Sequence, residues 1–260
     1  MKLGRSFLYL SAGLTALYML LPVIVVVATS FGGTAAYEFP PKSLSLTWFA
    51  ALFNTEIFTT SLLHVSLPLA VGVAVASTVV GLFAALGMAR LRGRVADIVA
   101  LLFSAPLIFP QVLLGVALFL FYARLNVALN IVSLALAHIL IATPYVIRSV
   151  TAGLSGIDDR LAQAAQNLGA SPIQAFCFVT LPLLKSGILS GAVFAFIVSF
   201  SDINLAIFLS AAGNTTLPMQ IMAQMQYVSD PTIAAAASAQ IVVVSLLVIL
   251  AQRLSGKVRA

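Results

Sequence analysis

The feature that most constrains this chain is a series of long apolar stretches almost free of charge. The first extends from Phe7 to about Ser30 without an acidic or basic residue. A helix of roughly 20 apolar residues crosses a bilayer core of about 30 Å, with its backbone hydrogen bonds satisfied internally. With 62% hydrophobic and 8% charged residues, the chain has too few polar side chains to cover a water-exposed fold. The sequence therefore predicts an all-α polytopic membrane protein.

Six stretches reach the length of a membrane-spanning helix, which predicts a single transmembrane domain over residues 1–260. The first stretch is too long for the apolar region of a signal peptide and is interpreted as an uncleaved span. In the third stretch, Pro106 and Pro110 remove backbone donors, so a bend or break is expected there. The predicted spans are about 7–30, 62–89, 98–122, 128–147, 186–209 and 233–251.

The distribution of Lys and Arg predicts the orientation, because cytoplasmic loops carry the excess of these residues. With the N-terminus in the cytoplasm, only Lys42 and Arg124 lie outside. The C-terminus and the longest polar interruption, 149–185, are then cytoplasmic as well. The remaining basic residues all lie on the inner face: Lys2, Arg5, Arg90, Arg92, Arg94, Arg148, Arg160, Lys185, Arg253, Lys257 and Arg259.

The cysteine, histidine, acidic and basic residues of the chain disfavour a disulfide-linked protein, a metalloprotein, an enzyme and a nucleic-acid-binding protein. Cys177 is the single cysteine, so no internal disulfide is possible. No His, Cys and carboxylate residues have metal-ligand spacing, and no nucleophile triad or carboxylate pair indicates an enzyme. His64 and His138 lie far apart in apolar surroundings, where a hydrogen-bonded packing role is favoured over proton relay. The basic residues flank spans and are not interleaved with aromatics, which disfavours nucleic-acid binding.

The first part of the polar interruption predicts a short helix closed by a hinge. Asp158 or Asp159 can cap its N-terminus. Residues 161–168 are rich in Ala, Leu and Gln, which are good helix formers. Gly169 follows where a left-handed residue is expected to end the helix.

The second part predicts another helix directly after that hinge. Ser171 is a suitable N-cap, Pro172 suits the first helical position, and Gln174 completes the cap three residues on. Leu181-Pro182 is expected to end this helix before the membrane is re-entered. Two capped helices joined by a glycine form a stiff, sharply bent segment that another protein can grip.

This segment resembles the EAA loop of ABC importer permeases. The family pattern is roughly Glu-Ala-Ala, three residues, Gly, nine or so residues, an aliphatic residue and Leu-Pro. The matching positions are Gln163-Ala164-Ala165, Gly169 and Leu181-Pro182. One departure is that Gln163 stands where the family has an acidic residue. Because glutamine is neutral, the charge pairing of relatives cannot be assumed here. Glutamine keeps the length and a carbonyl acceptor, so the docking geometry is expected to survive with weaker electrostatics.

The resemblance implies the type I importer permease fold, in a multi-pass subunit of the bacterial inner membrane. The loop is then a coupling helix in a cleft of an ATP-binding subunit, whose closure switches the spans between inward-open and outward-open states. Small Ala164 and Ala165 permit close approach, and Phe176 and Phe178 offer aromatic anchors. The residues expected to couple to the ATPase are Gln163, Ala164, Ala165, Gly169, Ala170, Ser171, Pro172 and Phe176.

The resemblance also implies a set of partners. The chain has no Gly-x-x-x-x-Gly-Lys-Ser/Thr loop, so ATP and Mg²⁺ are expected on a separate ATPase dimer and no cofactor on this chain. A second permease, expected to be a different chain, would complete the pathway within the lipid bilayer. A periplasmic solute-binding protein would dock on the outer segments 32–60 and 211–231.

Further segments resemble the spermidine/putrescine-type branch of these permeases. They are residues 39–49, the sequence Phe200-Ser-Asp202 with the following Phe208-Leu-Ser, and Thr216-Leu-Pro218. The branch handles polyamines and other small polar solutes, including opines and aminoalkylphosphonates. The cargo of the chain is therefore expected to be a small polar solute of this kind.

Three polar residues of the spans are candidates for a translocation path or gate. Asp202 lies deep in the predicted fifth span, where an ionisable residue indicates function. It can attract a cationic amine, pair with the second permease at a gate, or bond to Ser199, Ser201 or Asn204. Asn204 and Gln111 are further candidates, although amides also join helices. The competing function is a secondary transporter or channel, which would act without an ATPase.

Overall fold

The computed structural model describes residues 2–158, 160–211, 213–227 and 230–256, with side chains over 8–158, 160–211, 213–227 and 230–253. Over these residues the chain is helical, and its one β-bridge pairs Gly32 with Leu44. The helices of this part are α1 Lys2–Ser30, α2 Thr47–Asn54, α3 Glu56–Met88, α4 Arg94–Ile108, α5 Gln111–Arg124, α6 Ile131–Leu154, α7 Arg160–Asn167, α8 Pro172–Leu183, α9 Lys185–Phe200, α10 Ala206–Leu209, α11 Leu217–Tyr227 and α12 Thr232–Gly256.

Four continuous helices (α1, α3, α6 and α12) are long and apolar enough to cross a membrane. Two further candidates for a span are bent helix pairs, in which α4 and α5 meet at 100° and α8 and α9 meet at 66°. The expected proline break in the third span is confirmed at Phe109-Pro110, immediately before α5. Pro106 lies inside α4 and does not end it. Counting each pair as one span gives up to six, as the apolar stretches predict.

The boundaries of several spans differ from the prediction. Helix α3 begins at Glu56 rather than near 62, and residues Thr60–Ser66 form a π-helical turn within it. Helix α6 continues to Leu154, beyond residue 147 at which the fourth span is predicted to end. The fifth span is not continuous to 209, because α9 ends at Phe200 and the chain leaves the helix before α10. Hydrophobicity does not register this break, since the residues on both sides are apolar.

The chain divides into two compact units, residues 1–60 with 220–243 and residues 61–219 with 244–260. In the second unit, the core lies between α3, α6 and α9, and includes the fully buried side chains of Val73, Val146 and Leu184. Glycines permit the helices to approach closely. A Cβ on Gly81 would lie 2.7 Å from Val146 Cβ, and one on Gly187 would lie 2.9 Å from Ser149 O. Small residues of this kind are typical of membrane helix contacts.

In the first unit, residues 31–46 fold back on themselves before α2. Gly33 N–H donates to Ser43 O at 3.0 Å, and Ser45 N–H donates to Phe31 O at 2.8 Å. The Tyr37 hydroxyl donates to the backbone oxygen of Asp230 at 2.6 Å. Burial raises the pKa of Tyr37, and the nearby Asp230 carboxylate adds to this effect. Beside it lies an apolar cavity of about 380 Å³ whose lining includes Tyr37, Phe39 and Met225.

Candidate coupling segment and transport path

Helix α7 is closed at both ends by hydrogen bonds between near neighbours. Asp158 Oδ1 accepts the Arg160 N–H at 2.9 Å, so the predicted N-terminal cap is confirmed for Asp158. Asp159, the alternative cap, lies outside the described residues. At the other end, Ala170 N–H donates to Ala165 O at 3.1 Å and Gly169 N–H donates to Gln166 O at 2.9 Å. This pair of bonds is a Schellman motif.

Gly169 supplies the backbone conformation that the motif requires. Its φ is +95°, a region that L side chains rarely adopt, and a Cβ there would meet nothing within 4 Å. Glycine is therefore required here because of the backbone conformation, and a side chain would not be excluded by lack of space. The left-handed hinge expected from the sequence is confirmed.

Helix α8 begins immediately after the hinge with a reciprocal cap. Ser171 Oγ accepts the Gln174 N–H at 3.3 Å, and Gln174 Oε1 accepts the Ser171 N–H at 2.8 Å. Pro172 occupies the first turn, as predicted. The helix contains a π-helical turn over Phe176–Thr180 and ends at Leu183, one residue beyond the predicted Leu181-Pro182 end. Both ends of the hinge are thus fixed by local bonds.

The segment from Ser155 to Leu184, hereafter the coupling segment, exposes large apolar side chains around this hinge. Leu168 is 90% exposed, Ile173 75% and Phe178 77%. Gln163 and Ala164 are exposed on α7 as well, whereas Phe176 is half-buried. Of the two aromatic anchors expected, Phe178 is thus the more available. Leu168 and Ile173 were not among the predicted contacts. Their position, as apolar residues on either side of a capped hinge, is the sequence feature that could have identified them.

The three candidate path residues do not form one site. Asn204 Nδ2 donates to Gln111 Oε1 at 2.8 Å, so these two amides meet. Asp202 is buried and accepts the N–H groups of Leu205 and Ala206 on Oδ2, at 2.9 and 3.2 Å. The prediction that Asp202 lies within a span helix is wrong: it stands in the break between α9 and α10, where a carboxylate satisfies free backbone donors.

His138 is a partner of Asp202 that the sequence did not reveal. Its Nε2 lies 3.5 Å from Asp202 Oδ2, and its Nδ1 lies 2.9 Å from Ser199 Oγ. The hydrogen-bonded packing role favoured for His138 agrees with this burial. Its partners lie 61 and 64 residues away along the chain, and no local pattern connects them. Ser199, expected beside Asp202, bonds to the histidine instead.

None of the described side chains builds a metal centre: in this part of the chain no three His, Cys, Asp or Glu residues are grouped as ligands. The free Cys177 is exposed on the coupling segment. The geometry supports a mechanical role for this part of the chain. It combines a rigid exposed hinge, a close-packed helical core and two helix breaks joined by polar side chains.

Known proteins of the same architecture are similar over nearly the whole chain. The spermidine/putrescine transport system permease protein PotC of Haemophilus influenzae is 29% identical over 240 residues, covering 92% of this chain and 93% of PotC. The putrescine transport system permease protein PotI of Escherichia coli K12 is 31% identical over 233 residues, covering 87% of this chain and 82% of PotI. These relatives are the branch that residues 39–49 and 200–218 indicate.

A solved structure shows the same fold. It is the crystal structure of a bacterial alginate ABC transporter in complex with an alginate pentasaccharide-bound periplasmic protein. One of its chains matches with a TM-score of 0.71 at 16% identity, covering 99% of this chain and 96% of that chain. At this identity the likeness establishes the fold alone.

The family model described as the binding-protein-dependent transport system inner membrane component matches residues 77–259, which include the core helices α6 and α9, the end of α3, the coupling segment and both amide residues. This match favours the importer over the secondary transporter or channel. The chain therefore belongs to the binding-protein-dependent transport system inner membrane components, the multi-pass transmembrane subunits of ATP-driven importers.

Proposed function

We propose that this subunit imports a small cationic or polar amine, driven by ATP hydrolysis on a separate subunit that grips the coupling segment. The single observation that carries the coupling role is the exposed hinge. Three large apolar side chains, Leu168, Ile173 and Phe178, are at least 75% exposed around Gly169, whose backbone conformation L side chains rarely adopt. Large apolar side chains on a rigid support are the kind that anchor protein interfaces.

The hinge supplies the stiffness that a mechanical coupling needs. Helices α7 and α8 are capped on both sides of Gly169, so a push on one is passed to the other rather than lost in loop bending. Helix α8 then leads into α9 through a 66° bend, and α9 packs in the core against α3 and α6. A displacement of the coupling segment is in this way carried into the membrane helices.

The electrostatics of the contact differ from those expected for the family pattern. Gln163 is neutral where relatives of this pattern carry an acidic residue, and it is exposed. The contact with the ATPase then depends on the apolar side chains and on the amide as hydrogen-bond partner. Dependence of the assembly on salt is accordingly expected to be weak.

The names of the relatives support the cargo, and the resemblance to the EAA loop supports the remaining partners. PotC and PotI carry spermidine/putrescine and putrescine in their names, which supports a polyamine-type solute as cargo. The complete transporter also contains a dimer of ATP-binding subunits, which holds ATP and Mg²⁺, and a second permease of different sequence. A periplasmic solute-binding protein delivers the cargo to the outer segments 32–60 and 211–231.

The experiment is purification of this chain from its native membrane in mild detergent, with its companions identified by mass spectrometry. The expected companions are an ATP-binding subunit and a second permease. Ile173→Asp should release the ATP-binding subunit and keep the second permease. Leu44→Asp is the matched control, since Leu44 is 78% exposed but lies far along the chain. A chain that is reproducibly free of ATPase would contradict the proposal.

A further inference from the structure

Two helix breaks meet in the second unit. One is Phe109-Pro110, between α4 and α5, and the other is the stretch 201–205, between α9 and α10. Gln111 opens α5 and accepts the hydrogen bond of Asn204 at 2.8 Å. One turn further along α5, a Cβ on Gly115 would lie 2.7 Å from Phe208 Cδ2 and 3.1 Å from Asn204 O. The second break therefore packs directly on the backbone of α5.

Asp202 lies in the second break, where one of its two carboxylate oxygens, Oδ2, already has partners. Oδ2 accepts the N–H groups of Leu205 and Ala206, which start α10. The same oxygen lies 3.5 Å from Nε2 of His138 on α6, and the Asp202 side chain is only 2% exposed. His138 is fully buried and is held by Ser199 Oγ on α9. These contacts connect the break to α6 and α9.

A buried carboxylate with these partners is poorly placed to receive a cation from a pathway. A cargo ammonium needs an oxygen that it can reach, and that oxygen must exchange partners as cargo passes. Asn204 and Gln111 meet this condition better, because both are only partly buried. Their mutual bond uses one amide donor and one amide acceptor, which leaves the Asn204 oxygen and the Gln111 nitrogen for further bonds.

We propose that His138 and Asp202 form a joint that fixes the break after α9, and that this joint positions Asn204 against Gln111 as the pair that meets polar cargo in this subunit. The inference rests on the proposed transport function and assigns the roles within its path. His138 and Asp202 are positioning residues. Gln111 and Asn204 are the residues that contact cargo.

The first test measures the position of Asn204 without any cargo. In a Cys177→Ser background, Gln111→Cys and Asn204→Cys are joined by a short bifunctional thiosulfonate in the assembled complex. The joint predicts that Asp202→Leu or His138→Leu slows this cross-link by about 10-fold or more, since the break loses its anchor. Asp202→Asn should leave the rate unchanged, because an asparagine oxygen still caps the backbone donors. An unchanged rate in both leucine variants would overturn the joint.

The second test separates positioning from charge recognition. Uptake of radiolabelled putrescine is measured in proteoliposomes that contain the whole complex and its binding protein. Asp202→Asn should keep the KM within about 3-fold of the wild type, because positioning needs an oxygen and not a charge. A KM raised by about 10-fold or more with unchanged binding-protein-stimulated ATP hydrolysis would assign Asp202 to the cargo instead. Asn204→Leu should raise the KM, and an unchanged KM would remove Asn204 from the path.

A double-mutant cycle tests whether the two residues act together. His138→Gln keeps a polar group within reach of Asp202 and should retain most uptake, whereas His138→Leu should lose it. The double variant that combines His138→Leu with Asp202→Leu should be no worse than either single variant, because both substitutions break one joint. Additive losses would contradict it. If the leucine variants fail to accumulate, the Asp202→Asn result decides alone.

Failure of the proposed function has a different signature from failure of the joint. If ATP does not drive uptake by the wild-type complex, or if no ATP-binding subunit is present, the importer assignment is wrong whatever the cross-link shows. If putrescine is not carried, the cross-linking rates still report the joint. The joint fails by itself when uptake is ATP-driven and the leucine variants cross-link at the wild-type rate.

Discussion

The coupling segment and the three-helix core of α3, α6 and α9 are stabilised in different ways: the first by hydrogen bonds between near neighbours, the second by packing between residues far apart in the chain. In the coupling segment the fixing bonds join residues at most five apart, such as Ala170 to Ala165 and Ser171 to Gln174. Its large apolar side chains at the hinge, Leu168, Ile173 and Phe178, remain exposed. In the core the contacts join residues far apart, and glycine allows helices to touch. A segment stabilised by its own caps can offer an apolar surface to a partner without losing its shape.

Both regions require glycine, but for different physical reasons. Gly169 is needed because its φ is +95°, with no atom near the missing Cβ. Gly81 is needed because Val146 fills the space that a Cβ would take. One position is a backbone requirement and the other a packing requirement, so their variants should fail in different assays.

The largest effect is expected from Gly169→Asp. A side chain at this φ costs about 1–3 kcal/mol in backbone strain, which opens the hinge, and the charge faces the ATPase. ATP-driven transport should fall by about 100-fold or more, while the amount of subunit in the membrane stays the same. Gly156→Asp adds the same charge in the same segment, where the nearest atom to a Cβ is at an ordinary 3.6 Å. It should transport nearly normally.

Gly81→Ala should act on stability instead. Its Cβ would lie 2.7 Å from two side-chain atoms of Val146, and overpacking of this kind costs about 1–3 kcal/mol. The expected result is a lower thermal unfolding midpoint of the purified complex. Gly72→Ala, in the same helix with nothing within 4 Å of its Cβ, is the control. Equal midpoints for the two variants would show that α3 and α6 do not pack as described.

Ser171→Ala tests the cap of α8. Loss of a serine N-cap costs roughly 1 kcal/mol, so the hinge should loosen and coupled ATP hydrolysis should fall by about 3- to 10-fold. Ser171→Asp restores an acceptor for the Gln174 N–H and should recover most of the activity. If alanine and aspartate behave alike, the stiffness of the hinge does not come from this cap.

The smallest effect is expected from Gln163→Glu. The residue is exposed, and an isolated surface charge contributes about 0–1 kcal/mol. Coupled ATP hydrolysis should change by less than about 3-fold, but it should become more sensitive to salt. A loss comparable to that of the Gly169 variant would mean that the neutral residue is essential to the contact with the ATPase.

The two regions also differ in how far the sequence predicts them. The caps at Asp158 and Ser171 and the hinge at Gly169 follow from residues within a few positions, and the structure confirms all three. Apolar length predicted six spans, in keeping with the four to six that the helices allow, and Pro110 predicted the bend between α4 and α5. The break at 201–205 was not predicted, because the apolar residues on both sides of Ser201, Asp202 and Asn204 were interpreted as one continuous span. The contacts of Asp202 with His138 and of Asn204 with Gln111 depend on tertiary packing, which no local pattern encodes.

The orientation of the termini and the roles of the coupling residues stay predictions of the Lys and Arg distribution and of the EAA-like pattern. Both bear on the same surface, because the coupling segment must face the cytoplasm to meet an ATPase. A single cross-linking measurement at this surface therefore tests them together.

The central claim is that the hinge docks on an ATP-binding subunit. The most direct measurement places a photo-reactive benzoylphenylalanine at Leu168, which is 90% exposed, in the complete complex in its native membrane. The account predicts a cross-link to the ATP-binding subunit whose yield changes when ATP is added, and none from the same group at Leu44. Cross-links from Leu168 to lipid or to periplasmic protein alone would contradict it.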